Sequence, residues 1–300
     1  MASTKLKVTQ RGCYYAASIL GGSPMEVTLT GFADEISSDL DVQLDVLASE
    51  GIQYLDLRGA WGKNVSVMTG EDIATIKALL DSRDVKVSSI GSPIGKIKVT
   101  DDFAAHLELM KRMIHLAKFF ETPYIRIFSF IIPAGEEPLT HREEVMRRMK
   151  QLCVLAEQEG VVLLLENEKH VYGDIAERCL DILQVCESKS LVAAFDPANF
   201  IQCGVASIVD TFKLLQPYTS YMHVKDALKE GGSVVPSGEG DGDWQHLVAA
   251  LSAQGYSGFM SLEPHLKAVG ALEGRTNPEL FVIASQALKK LLLEAGCSWK

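Results

Sequence analysis

A chain of 300 residues, 47% hydrophobic and 23% charged, can bury a large core in one domain or two. Its formal net charge of -10, from 29 Lys+Arg against 39 Asp+Glu, argues against nucleic acid or an anionic membrane as main partner, since both call for a basic footprint. A phosphorylated small molecule needs only a local pocket of donors and is not excluded.

The first 24 residues carry Lys5, Lys7 and Arg11, then Tyr14 to Leu20, too short and interrupted a stretch for a signal peptide. They read as an N-terminal extension, residues 1–24, ahead of a domain over residues 25–300. No apolar run approaches membrane-spanning length. The cysteines (Cys13, Cys153, Cys179, Cys186, Cys203 and Cys297) form no Cys-x-x-Cys pair and read as reduced thiols in a cytoplasmic protein.

From Val27 onward, strand and helix patterns alternate without a break. A first strand over 27–32 leads to a helix with apolar spacing at Leu40, Leu44 and Leu47, closed by Gly51. Further strands are expected over 53–57, 85–90, 124–129, 161–166 and 191–195, then two ending at His223 and Glu263. Helices are expected over 71–80, 102–120, 141–158, 174–187, 206–215, 244–253 and 278–293, with glycine stops at Gly160 and Gly255. Regular β-α alternation makes the strands parallel, and eight such units close into a (β/α)₈ TIM barrel. An open doubly wound sheet ranks below it, because no Gly-x-Gly-x-x-Gly follows the first strand.

The last four strands share one grammar. Val161 to Leu165 runs into Glu166, Leu191 to Phe195 into Asp196, Ser220 to Met222 into His223, and Gly258 to Leu262 into Glu263. By strand parity Glu166 shares a face with Leu164, Asp196 with Ala194, His223 with Tyr221 and Lys225, and Glu263 with Ser261, Phe259 and His265. In a barrel these strands are neighbours, and active sites form at their C-terminal ends. Carboxylates crowded there would repel one another, and a divalent cation resolves the conflict. Carboxylate oxygens with one imidazole suit Mn²⁺, Mg²⁺, Co²⁺ or Zn²⁺ and do not choose among them. Any one such residue alone is as readily a cap or an ion-pair partner; four in register on consecutive strands point to a metal site.

Glu-Asn-Glu at 166–168, Phe-Asp-Pro-Ala-Asn-Phe at 195–200, His-Val-Lys-Asp at 223–226 and Ser-Leu-Glu-Pro-His at 261–265 resemble the sugar phosphate isomerase/epimerase family of xylose-isomerase-like barrels. The resemblance runs from about Gly31 to the C-terminus. It implies that Glu166, Asp196, His223 and Glu263 hold one divalent cation, Mn²⁺ in the first place, and that Glu166 and Glu263 also transfer protons. It further implies a small-molecule sugar as substrate and a homo-oligomer. Two positions depart from the family's ketose 3-epimerases: Asn199 stands where they carry a substrate-binding His, and Lys229 where they carry an Arg. Specificity therefore does not carry over.

Isomerising a sugar removes a proton next to a carbonyl, and a metal on the carbonyl oxygen stabilises the enediolate. One carboxylate takes the proton and an acid returns it. Further contacts are sought at Asn199, Lys225 and His265 for substrate, with a solvated loop lysine the bland reading of Lys225. His170 reads as exposed, and Asp56 with Arg126 as a structural pair inside the barrel. Trp61, Phe128, Phe130 and Phe200 are wall or core, and the 236–242 loop resembles a phosphate cradle but lacks the P-loop lysine. A lyase or dehydratase on a keto-sugar or keto-inositol would share the metal and the enolate and expel a β-substituent. A DNA-repair endonuclease would need a basic groove and more histidines than the seven present. A non-catalytic sugar-binding protein would be marked by a lost ligand, and none of the four is lost.

Overall fold

The computed structural model describes residues 25–300. The N-terminal extension over 1–24 and Cys13 lie outside them. Eight parallel strands form the barrel wall: β1 (Glu26–Gly31), β2 (Tyr54–Leu57), β3 (Lys86–Gly91), β4 (Tyr124–Ile127), β5 (Val162–Glu166), β6 (Leu191–Phe195), β7 (Thr219–Val224) and β8 (Phe259–Leu262). Neighbours run in chain order from β2 to β8, and β8 pairs with β1 from Thr28↔Phe259 to Gly31↔Leu262. A ninth strand, β9 (Ser298–Trp299), pairs with Glu26 and Val27 on the other edge of β1. The seam between β1 and β2 thus has its lower part filled by the chain's last residues.

Helices cover the outside: α1 (Leu40–Ser49), α2 (Gly70–Ser82), α3 (Ala104–Phe119), α4 (Arg142–Glu159), α5 (Ala176–Cys186), α6 (Pro197–Gln202), α7 (Ile208–Leu215), α8 (Trp244–Ala253) and α9 (Asn277–Glu294). Their apolar stripes face the sheet as the spacing requires: Leu40, Leu44 and Leu47 of α1 are fully buried, each contributing about 1.5–3 kcal/mol. Gly160 ends α4 at φ 69°, a left-handed conformation that costs a side-chain-bearing residue energy. No helix among the described residues is long and apolar enough to cross a membrane.

Three details depart from the sequence expectation. β4 stops at Ile127 rather than Ser129, because Phe128 and Phe130 donate their N–H groups to Ile94 and Gly95 in the loop after β3. The six-residue α6 follows β6 directly, where no helix was expected. Its signals were local: Asp196 is the N-cap and Pro197 the first helical residue. Short antiparallel hairpins (Gly59–Ala60 with Lys63–Asn64, Asp226–Ala227 with Val234–Val235) extend the loops after β2 and β7.

The barrel interior is a separate small core of Leu164, Ala194 and Tyr221, packed by Tyr124, Val192 and Phe259. Parity had placed Leu164, Ala194, Tyr221 and Phe259 on the face of the four ligand candidates. In the same interior, the buried Asp56 carboxylate accepts from Tyr221 Oη at 2.8 Å, Ser261 Oγ at 2.6 Å, Thr30 Oγ1 at 3.3 Å and the Ser89 hydroxyl.

Candidate metal centre and active site

β5 ends on Glu166, Asp196 follows β6, His223 is the penultimate residue of β7, and Glu263 follows β8. Parallel registry sets Glu166 beside Ala194, two residues before Asp196, and His223 beside Ser261, two residues before Glu263, a stagger in keeping with strands that tilt around a barrel. All are at most 3% exposed, and one donor atom from each lies within 4.8 Å of the others. The convergence expected from strand parity is present. Asp196 Oδ1 accepts from Asn199 N at 2.9 Å as the α6 cap. Asn167 ties the ends of β5 and β6 together, accepting from Asp196 N at 3.0 Å and donating to Asp196 O at 2.8 Å.

Each glutamate is divided, one oxygen towards an arginine and the other towards the remaining side chains of the cluster. Arg126 Nη1 donates to Glu166 Oε2 at 2.8 Å, while Glu166 Oε1 lies 3.2 Å from His223 Nδ1 and accepts from Asn199 Nδ2 at 3.3 Å. Arg58 Nη1 donates to Glu263 Oε1 at 2.9 Å, while Oε2 accepts from Lys225 Nζ at 3.0 Å and lies 3.9 Å from His223 Nδ1. An arginine therefore holds one oxygen of each glutamate and leaves the other for the cage. Phe32 stands edge-on to His223 at 5.3 Å, with Arg58 and Arg126 over its ring at 4.5 and 5.1 Å. The expected Asp56–Arg126 pair does not form: hydroxyls surround Asp56, and Glu166 on the adjacent β5 takes Arg126.

These cations correct part of the sequence argument. Repulsion among Glu166, Asp196 and Glu263 is relieved by Arg126, Arg58 and Lys225, so crowding alone does not call for a metal. A more direct sign is that Asp196 Oδ2 and both ring nitrogens of His223 are buried with no hydrogen-bond partner among the described residues. Lys225 Nζ is 2.8 Å from Asp196 Oδ2, yet off the direction a hydrogen bond needs, so this is a charge contact. A divalent ion with bonds of about 2.0–2.2 Å sets opposite donors about 4–4.4 Å apart, and a small contraction of the cluster would reach that. The residues fit such an ion.

The titrations follow the same field. Burial pushes Glu166 up, but His223 and Arg126 outweigh it and hold the carboxyl at about 2. Burial likewise opposes ionisation of Glu263, and Lys225, His265, His223 and Arg58 together keep it well below the ordinary range. Asp196 goes the other way: burial, partly offset by Lys225 and reinforced by Glu263 and Glu166, pushes it up to about 6. Burial would lower His223, and the surrounding carboxylates raise it instead.

A cavity of about 800 Å³ opens at this end of the barrel, with Asp34, Glu35, Asn199, His265 and Lys267 among its walls. Asn199 reaches it while holding Glu166, and His265 is half-exposed there with Nε2 2.9 Å from Glu35 Oε1. Lys225 is not the solvated loop lysine: it is 3% exposed and lies against Asp196 and Glu263. His170 is exposed, as expected. Phe130 and Phe200 are core, Phe128 lies under Arg126 at 4.4 Å, and Trp61 is partly exposed. The 236–242 loop cradles a carboxylate of its own chain, with Gly238, Gly240 and Gly242 donating to Asp226 at 2.9, 3.1 and 2.9 Å. A Cβ on Gly240 would stand 2.4 Å from Asp226 Oδ1, so glycine is required there. Arg58, Asn167 and Phe32 were missed as site residues; only the inward parity of Asp56 with Arg58 hinted at the first.

The sequence profile of the xylose isomerase-like TIM barrel family matches residues 44–291, well over half of the chain. The chain belongs to that family. A 3-dehydroshikimate dehydratase of Bacillus anthracis is 23% identical over 176 residues, 59% of this chain and 62% of the relative. The chain thus matches less than two thirds of that relative's length. Among solved structures of similar fold, the IOLI protein with a binding zinc atom superposes with a TM-score of 0.74 at 16% identity, covering 90% of this chain and 99% of that one. A D-psicose 3-epimerase, solved in the presence of D-fructose, does so with a TM-score of 0.70 at 15% identity, covering 90% and 100%. At such identities the likeness establishes the shared barrel.

Proposed function

We propose that this xylose isomerase-like barrel is a divalent-metal-dependent isomerase or epimerase of a ketose or related keto-sugar. The observation that carries the reading is the division of the two glutamates, each with one oxygen fixed by an arginine and the other turned into a cage shared with Asp196 and His223. Glu166, Asp196, His223 and Glu263 would hold the ion, Mn²⁺ being the first to try. When bound, a divalent ion supplies Lewis-acid polarisation of a substrate carbonyl and charge to balance the enediolate. Glu166 and Glu263 come from strands that are not neighbours, so they approach a substrate from two sides. One would take the proton beside the carbonyl and the other return it to the next carbon or the opposite face. Asn199 and His265 face the cavity and would bind hydroxyl oxygens of the sugar.

A second reading, a lyase or dehydratase using the same enolate, has specific support. The dehydratase of Bacillus anthracis is a curated relative matched by sequence, and Asn199 and Lys229 replace groups that the resemblance associates with ketose epimerisation. Deuterium wash-in from heavy water separates the two on a panel of ketoses, keto-inositols and oxo-glycosides, with added Mn²⁺ or with chelator. Metal-dependent exchange without loss of mass from the carbon skeleton is the expected result. Exchange with loss of water or an aglycone would establish the lyase, and no exchange by a metal-loaded protein would refute sugar enolisation.

A further inference from the structure

Three cations meet the three carboxylates of the centre, but they do so from different sides. Arg126 and Arg58 bind Glu166 Oε2 and Glu263 Oε1, the oxygens turned away from the cage. Lys225 binds the ones turned in: its ammonium is 3.0 Å from Glu263 Oε2 and 2.8 Å from Asp196 Oδ2. It is as buried as the ligands, at 3% exposure, and among the described residues no polar partner besides these carboxylates meets its Nζ. Lys225 thus supplies the charge that faces the inward oxygens of Asp196 and Glu263, while Arg58 is shared with Asp34 and Glu35. A dication entering alongside it would share the same oxygens and meet an uncompensated positive charge at contact range.

We propose that Lys225 competes with the divalent ion for the cage, so that loading the site requires its ammonium to let go of Asp196 Oδ2 and Glu263 Oε2. This rests on the reading of the four side chains as metal ligands. The chemistry suits a lysine: a flexible four-carbon stem carries a compact charge that can withdraw, whereas a forked guanidinium holds its carboxylate in fixed geometry. The chain thereby keeps its carboxylates neutralised and its ligands assembled without metal, at the expense of affinity for the ion. A lysine that only braced the carboxylates from outside would have the opposite effect, since loss of such bracing weakens metal binding.

The test is a titration of metal-free full-length protein with Mn²⁺, following the free-ion resonance, for wild type, Lys225→Met, Lys225→Gln and Lys225→Arg. Removing the charge should tighten Mn²⁺ binding about tenfold or more, and keeping it in Lys225→Arg should not. Metal-free Lys225→Met should melt below wild type and gain more from added Mn²⁺. Lys225→Gln retains an N–H donor and serves if the Met variant fails to fold. Unchanged or weaker Mn²⁺ binding in the Met and Gln variants overturns the proposal while leaving the metal site standing. Wild type that takes up no divalent ion overturns the metal reading itself, and with it this proposal.

Discussion

Replacing Glu263 by Gln tests the two-glutamate reading, because the structure separates its cost to stability from its cost to chemistry. Gln keeps the shape and one oxygen, so Arg58 retains an acceptor as well as Asp34 at 2.8 Å and Glu35 at 3.1 Å. Lys225 likewise retains Asp196 at 2.8 Å. Breaking a buried pair outright costs about 3–5 kcal/mol, but here no cation is left alone, and the loss should fall to about 1–3 kcal/mol. Metal binding should weaken yet stay measurable, since Glu166, Asp196 and His223 remain. Proton transfer is the step with no substitute: loss of a general acid or base costs about 10²–10⁴ in rate. The assay pairs metal content of the dialysed variant with deuterium wash-in at saturating Mn²⁺. A variant that folds, holds metal and exchanges within about tenfold of wild type would refute the assignment of Glu263 as a proton carrier.

Two further outcomes follow from groups outside the cage. Asp226→Ala removes the acceptor of Gly238, Gly240, Gly242 and Ala227 N–H, and orphaning the two fully buried donors should cost about 2–6 kcal/mol in urea unfolding. Proteolysis should then cut first within residues 236–242, and an unaltered cleavage pattern would show the loop to be held by other contacts. His106 is buried and accepts from Gly95 N at 2.7 Å, and burial, reinforced by Arg148, lowers it to about 4. Its neutral form is the native one, so its contribution to stability is complete above about pH 6.5 and is lost as pH falls towards about 4. Asp196, raised to about 6, titrates with the opposite sign in part of that window, so the difference between wild type and His106→Asn is the quantity to read. The curves should converge as pH falls; parallel curves would show that His106 does not carry this acid sensitivity.

The convergence of Glu166, Asp196, His223 and Glu263 was legible in the sequence because strand parity is a local rule, and each of the four carries its own apolar strand as a sign of direction. Inward placement of Lys225 followed from the same rule, through its parity with His223. Its partners did not, since they sit just after β6 and β8 and only barrel closure brings them near. Arg58 was hidden for the same reason, with partners from 23 to 205 residues away. The Asp56–Arg126 pair is absent because β2 and β4 do not adjoin, whereas β5, which carries Glu166, lies next to β4. The α6 helix, by contrast, has a local signal in Asp196-Pro197, a cap and first helical residue that double as part of the candidate ligand motif.

The carboxylate of Asp56, ringed by Thr30, Ser89, Tyr221 and Ser261, closes the barrel with a tier of side chains at most 1% exposed. Beneath it, the far end has its own recess beside Tyr54, Ser88 and Phe259. The tier works as a bulkhead. Among the described residues the site's side opens into the cavity bordered by Asn199 and His265, so whatever fills that cavity stands between the four clustered side chains and solvent.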